Sequence, residues 1–139
     1  MISEFVSEWF SSHRAEVIAW RRHIHRHPET SNNEVETTRF IARTLREYGL
    51  EPQLFPETGL MVDIGPETEL GRLAFRADID ALPVTEVTGL EYTSEVPGVM
   101  HACGHDVHTT IALATACALA DVNREPVSYT HLRAHETKA

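Results

Sequence analysis

The stretch MHACGHDVHTTIALATACALADV, residues 100–122, changes character halfway along. Its first half carries three histidines, a cysteine and an aspartate, and its second half is almost continuously apolar and rich in alanine. Alanine and leucine are strong helix formers, and with so little polar surface the helix is expected to be buried around most of its circumference. Cys103, Gly104 and His105 cannot lie on that helix with both side chains on one face, because residues two apart point away from each other. The triplet therefore belongs to an extended or turning segment that Gly104 bends, with Asp106 placed to cap the helix behind it.

A helix buried on that scale needs partners upstream. From Ser3 to about His27 the apolar residues Phe5, Trp9, Val17, Trp20 and Ile24 recur at helical spacings as one stripe, and Pro28 ends the run. SNNE, residues 31–34, offers a capping box from Ser31 to Glu34 ahead of Val35, Ile41, Ala42, Leu45 and Tyr48. Gly49 then stands where a left-handed cap is needed. Three short segments, around Gln53–Phe55, Leu60–Ile64 and Arg72–Ala77, are separated by turn formers and read as strands. Residues 84–102 are irregular. Helices flanking short strands predict an α/β sandwich rather than a bundle.

With 139 residues, 42% of them hydrophobic and 24% charged, the chain has the composition of one globular domain. A formal net charge of −9 disfavours nucleic acid and anionic lipid as partners. Glu4 and Glu8 interrupt the first apolar residues before any signal-peptide core forms, and no later run is long enough to span a bilayer; a cytoplasmic protein is expected. Cys103 and Cys117 are too few for a disulfide framework and are expected as reduced thiols.

Two groups of residues carry candidate chemistry. A sulfur and an imidazole, as at Cys103 and His105, form a normal pair of metal ligands, yet two are not enough for a site. The same residues also read as a buried thiol beside ordinary loop histidines, as a cysteine nucleophile with its base, or as part of a non-catalytic metal-binding module. His101 and His108 are given structural or substrate-side places. Upstream, LAFRADIDALP runs an apolar strand into Asp78 and Asp80, which in extended chain point to the same side. Paired carboxylates need a counter-charge, which a metal cluster, a metal-bound histidine or the neighbouring Arg76 would supply. A solvated loop is the plain alternative.

Taken together, RRHIHRHPE, FRADIDALP, GLEYTS and PGVMHACGHDVHTT, in this order, resemble the N-terminal part of the metal-dependent amidohydrolases that include hippurate hydrolase, N-acyl-amino-acid deacylases and N-acetyldiaminopimelate deacetylase. The resemblance runs from about residue 15 to 122. It implies an aminopeptidase-like three-layer α/β sandwich, here only the N-terminal part of the catalytic domain over residues 1–125, with a dimerising lid domain elsewhere in a homodimeric parent. It implies two divalent ions per subunit, zinc, manganese, cobalt or nickel, with Cys103 and His105 as ligands. The Asp78/Asp80 pair would contain the catalytic carboxylate that orients a ligand or tunes the water, with a slight preference for Asp78. The implied reaction is hydrolysis of the amide of an N-acyl amino acid, in which a water activated by the metal attacks while a glutamate moves the proton. RRHIHRHPE is read as structural.

That glutamate and the remaining ligands have no counterpart before the end of the chain. From about Pro126 the sequence leaves the family pattern, and VSYTHLRAHET, Val127–Thr137, is a possible translation of a transposase adapter used in preparing DNA for sequencing. Residues 126–139 are therefore expected to be a non-native tail, and the chain as written an inactive, poorly soluble fragment with an exposed sheet edge.

Overall fold

The computed structural model describes residues 2–66, 69 and 71–124; the stretch read as a non-native tail lies outside them. Helix α1 spans Ile2–Arg26, α2 Val35–Glu47 and α3 His105–Arg124, and two short strands, β1 at Gln53–Leu54 and β2 at Leu60–Met61, pair antiparallel. The result is an α/β arrangement of helices beside a small antiparallel sheet, similar in class to the expected sandwich but without three complete layers among the described residues.

The periodic stripe of α1 does what its spacing requires. Trp9, Trp20 and Ile24 are buried, and Phe5 and Val17 pack partly against the same core. That core joins α1 to Ile41 and Leu45 of α2 and to Leu113, Ala114, Cys117 and Ala118 of α3. Side chains such as Ile24, Leu45 and Leu113 each stabilise the packing by roughly 1.5–3 kcal/mol on full burial. At the far end of the α1–α3 seam, the Trp9 indole N–H donates to Asp121 at 2.8 Å, so its polar edge is satisfied within the packing.

Helix α2 ends as read and begins differently. Gly49, at φ 75°, donates to Arg46 O at 2.9 Å and Leu50 donates to Leu45 O at 3.0 Å, a Schellman ending. At its start Glu34 makes no side-chain cap and Ser31 lies in the turn around Asn32, so the capping box does not form. Glu29 replaces it: its carboxylate accepts the N–H groups of Glu36 at 3.1 Å and Thr37 at 2.6 Å, and the Thr37 hydroxyl at 2.6 Å. A carboxylate suits a helix N-terminus whatever its distance in sequence.

One further expectation is corrected. Residues 72–77 form no strand: Leu73 is fully exposed and Phe75 69% exposed, because no described segment lies alongside to exchange ladder hydrogen bonds. Helix α3 is buried on most of its circumference, as its composition predicts, with Leu113, Ala114, Cys117, Ala118, Ala120 and Val122 among its buried residues. Val107, Ile111 and Leu119, spaced by four and eight, leave an apolar stripe facing outward.

What positions the site is a pair of single bridges. Ala81 N–H donates to Glu29 O at 2.8 Å within a parallel bridge between Thr30 and Ala81. Leu82 and Met100 exchange both backbone hydrogen bonds at 2.9 Å. Residues 78–82 are thus held between the segment after α1 and the segment that leads into α3.

Candidate metal centre

The bend read at Gly104 is present. Gly104 has φ 99°, a conformation open to glycine at little cost, and its carbonyl accepts the N–H groups of Val107 and His108 at 3.1 Å to start α3. An added Cβ there would meet nothing within 4 Å, so the backbone angle, not space, calls for glycine.

The first turn of α3 clasps the aspartate segment. His105 Nδ1–H points at both the carbonyl oxygen of Asp80, 2.9 Å, and its carboxylate Oδ1, 3.0 Å, and Thr109 Oγ donates to Asp78 O at 3.1 Å. A donor at Nδ1 fixes the tautomer and leaves the Nε2 lone pair free. Asp78 is turned elsewhere. Its carboxylate takes Nε and Nη2 of Arg76 at 3.0 and 2.8 Å, and these hydrogen bonds and the guanidinium charge hold its pKa below the usual carboxylate value. Of the two aspartates, the structure therefore brings Asp80 to His105 and Asp78 to Arg76.

Cys103 is exposed, and the His108 ring lies 6.2 Å from that of His105. Among the described residues no three His, Cys, Asp or Glu side chains come together as a metal site. A free imidazole lone pair backed by a carboxylate, two residues from an accessible sulfur, fits part of a divalent-ion centre and does not complete one. The geometry does not favour a cysteine nucleophile, since the His105 nitrogen that is placed faces Asp80.

Asp106 does not cap α3. It lies inside the first turn, 1% exposed, where its Oδ2 accepts from His25 Nδ1 at 2.7 Å and sits 3.0 Å from Arg21 Nε. The other nitrogen of His25 reaches Glu86 Oε1 at 3.0 Å. Glu86 also accepts from the Thr88 hydroxyl at 2.5 Å and from Ser94 N–H at 2.6 Å. Burial works to raise the Glu86 pKa, but the hydrogen bonds from His25, Thr88 and Ser94 prevail and bring it to about 2. His101 is buried with both ring nitrogens unpartnered, and burial takes its pKa down to about 4. Arg21, His25, Glu86 and the inward role of Asp106 escaped the sequence reading. Their signal was present: Arg21 and His25 sit one residue beyond Trp20 and Ile24 of the buried stripe, where a charge demands a partner.

The pattern of peptidase family M20/M25/M40 matches residues 74–132, the last of which lie outside the described part. N-acetyl-L-cysteine deacetylase of Bacillus subtilis is 50% identical over 107 residues, 75% of this chain and 25% of that protein. A Rhodococcus jostii protein bearing a glutamate–cysteine ligase name is 53% identical over 105 residues, which are 74% of this chain but only 13% of that protein. Among solved structures, the Bacillus subtilis YXEP protein, described as a dinuclear metal-binding peptidase of the M20 family, superposes with a TM-score of 0.74 at 44% identity. That match covers 80% of this chain and 32% of YXEP. The chain thus spans a quarter or less of the two relatives and about a third of the structural neighbour.

Proposed function

We propose, from the premise that this is an M20-type amidohydrolase chain spanning part of its relatives' length, that it forms the N-terminal part of a catalytic domain hydrolysing the amide bond of N-acyl amino acids. Cys103 and His105 are the metal ligands, and Asp80 is the carboxylate that orients His105. The observation that carries this reading is the His105–Asp80 contact, which engages Nδ1 at the first turn of α3 and leaves Nε2 available to a metal ion. A divalent ion held by Cys103 and His105, zinc, manganese, cobalt or nickel, would supply Lewis-acid chemistry to the amide and to the attacking water.

The residues of this chain do the holding. Asp80 fixes the His105 tautomer and adds negative charge behind it, while Thr109 pins the Asp78 backbone so that the segment cannot drift from the helix. The proton-moving glutamate and further ligands are assigned to the part of the relatives' length that this chain does not span. To the same parent belong the complete three-layer sandwich and a homodimer. Within this chain, 1–125 is the catalytic-domain portion and 126–139 the translated adapter; coding DNA that departs from the adapter across Val127–Thr137 would overturn the second assignment.

The test is titration of the chain with cobalt(II), followed by the sulfur-to-cobalt absorption band. Binding that His105→Ala and Cys103→Ser each abolish supports the assignment. Binding unchanged in both variants refutes it. The chain alone is expected to show no turnover of N-acetyl amino acids, and the uninterrupted parent to hydrolyse them.

A further inference from the structure

The geometry points to His25 as a positioning residue for the centre, a clamp from α1 that holds the first turn of α3 so that His105 keeps its orientation; this deepens the proposed function and rests on it.

His25 is 3% exposed and has a carboxylate at each ring nitrogen, Asp106 at 2.7 Å and Glu86 at 3.0 Å. Both ring nitrogens are thus engaged, each by a carboxylate from a different segment. Buried carboxylates hold their place only where partners replace lost water, and Asp106 has two, His25 and Arg21. Tyr92 closes the cluster over both, with the Arg21 guanidinium 4.9 Å from its ring and the His25 ring edge-on at 5.5 Å. Three segments therefore meet at one imidazole: α1, the start of α3, and the loop that Glu86 ties through Thr88 and Ser94.

The lever is short. Asp106 follows His105 directly, so Cα atoms about 3.8 Å apart move together. Fixing Asp106 from below fixes how His105 projects toward Asp80. Without His25, Asp106 keeps only Arg21, itself partly exposed, and Glu86 loses its link to the helices. A tie between α1 and α3 that served packing alone would do the same work anywhere along the seam, and Trp9–Asp121 is such a tie at the far end.

The test compares His25→Ala with Trp9→Phe in the full chain, by two readouts. The first, without metal, is the proton–nitrogen correlation spectrum of the imidazoles, in which His105 shows a hydrogen-bonded Nδ1–H. The second is cobalt(II) affinity. His25→Ala is expected to lose the His105 Nδ1–H preference and weaken cobalt by about tenfold or more, as loss of outer support for a ligand does. Trp9→Phe should lower the thermal midpoint and leave both readouts unchanged. If His25→Ala does not fold by circular dichroism, Glu86→Ala against Glu86→Gln decides, since only glutamine keeps an acceptor for His25. The inference is overturned if His25→Ala, or Glu86→Ala in its place, retains the His105 signature and affinity, or if Trp9→Phe disturbs them equally. A wild-type chain that shows the signature but binds no cobalt rejects the metal assignment alone; the spectra still decide the clamp.

Discussion

His105 Nδ1 lies 2.9 Å from the carbonyl oxygen and 3.0 Å from the carboxylate of the same residue, Asp80, so one side chain is gripped by both the backbone and the side chain of its partner. The carbonyl grip survives any substitution of the Asp80 side chain. The carboxylate grip adds charge and depends on it.

That separation gives the first prediction. Asp80→Ala should keep the fold and weaken cobalt(II) binding by roughly 10–100-fold, the usual cost of removing a ligand's outer hydrogen-bond partner. Asp78→Ala removes an exposed ion pair with Arg76 and should change affinity by about twofold or less. Isothermal titration of both variants checks this, and equal losses would place the orienting role on the pair rather than on Asp80.

The reason spacing did not choose between the aspartates is physical. In extended chain the two point the same way, and what separates them is a third residue on each side, Arg76 for Asp78 and His105 for Asp80. The helical readings fared better because their signals are local: the α1 stripe needs only a period, and the Gly49 ending only a positive φ. The start of α2 was misread because Glu29 acts across the turn, seven and eight residues from the N–H groups it accepts. Residues 72–77 were read as strand on their apolar character, but a strand is a relation between segments, and no described segment answers it. RRHIHRHPE was read as structural; the structure shows that its Arg21 and His25 touch Asp106, next to His105.

Glu86 supplies a prediction about acid. Its pKa falls from 4.5 in the unfolded chain to about 2 in the folded one, because hydrogen bonds from His25, Thr88 and Ser94 outweigh burial. The folded state therefore favours the carboxylate: its contribution to stability is complete above about pH 4.5 and is lost as pH falls toward about 2. Denaturant midpoints measured across this window should drop for the wild type, and Glu86→Gln should flatten that part of the profile. An unchanged slope would mean that Glu86 is not held in this way.

The two cysteines should behave oppositely toward iodoacetamide. Cys103 is exposed, whereas Cys117 is buried in the core and burial raises its pKa to about 12, which suppresses the reactive thiolate. Mass spectrometry of the folded chain should find one alkyl group, on Cys103, and added zinc should slow its attachment. Chelation should restore the rate. Indifference to zinc would remove Cys103 from the ligand set.

The cap at α2 can be separated from its sequence decoy. Glu29→Ala removes the acceptor for two helix N–H groups and should cost about 1 kcal/mol, the usual worth of a cap. For a domain of this size that is a fall of roughly 4 °C in Tm. Ser31→Ala should change stability by less than about 0.5 kcal/mol. Thermal melts of the two variants give the comparison, and a larger effect at Ser31 would restore the capping box.

The outward stripe of α3 sets the behaviour of the chain in solution. Ile111 is 50% and Leu119 41% exposed, on a helix whose other face is in the core, and Phe75 stands 69% exposed on an unpaired segment. Apolar surface of this kind, alongside backbone with no ladder partner, drives chains together. The chain should therefore sediment as oligomers at micromolar concentration and bind the dye ANS. Replacing Ile111 and Leu119 together by glutamine, which keeps helix propensity, should raise the monomer fraction without loss of helical circular dichroism. If the double variant associates as strongly as the parent, self-association arises from another surface, and the exposed stripe is an ordinary part of a solvated helix.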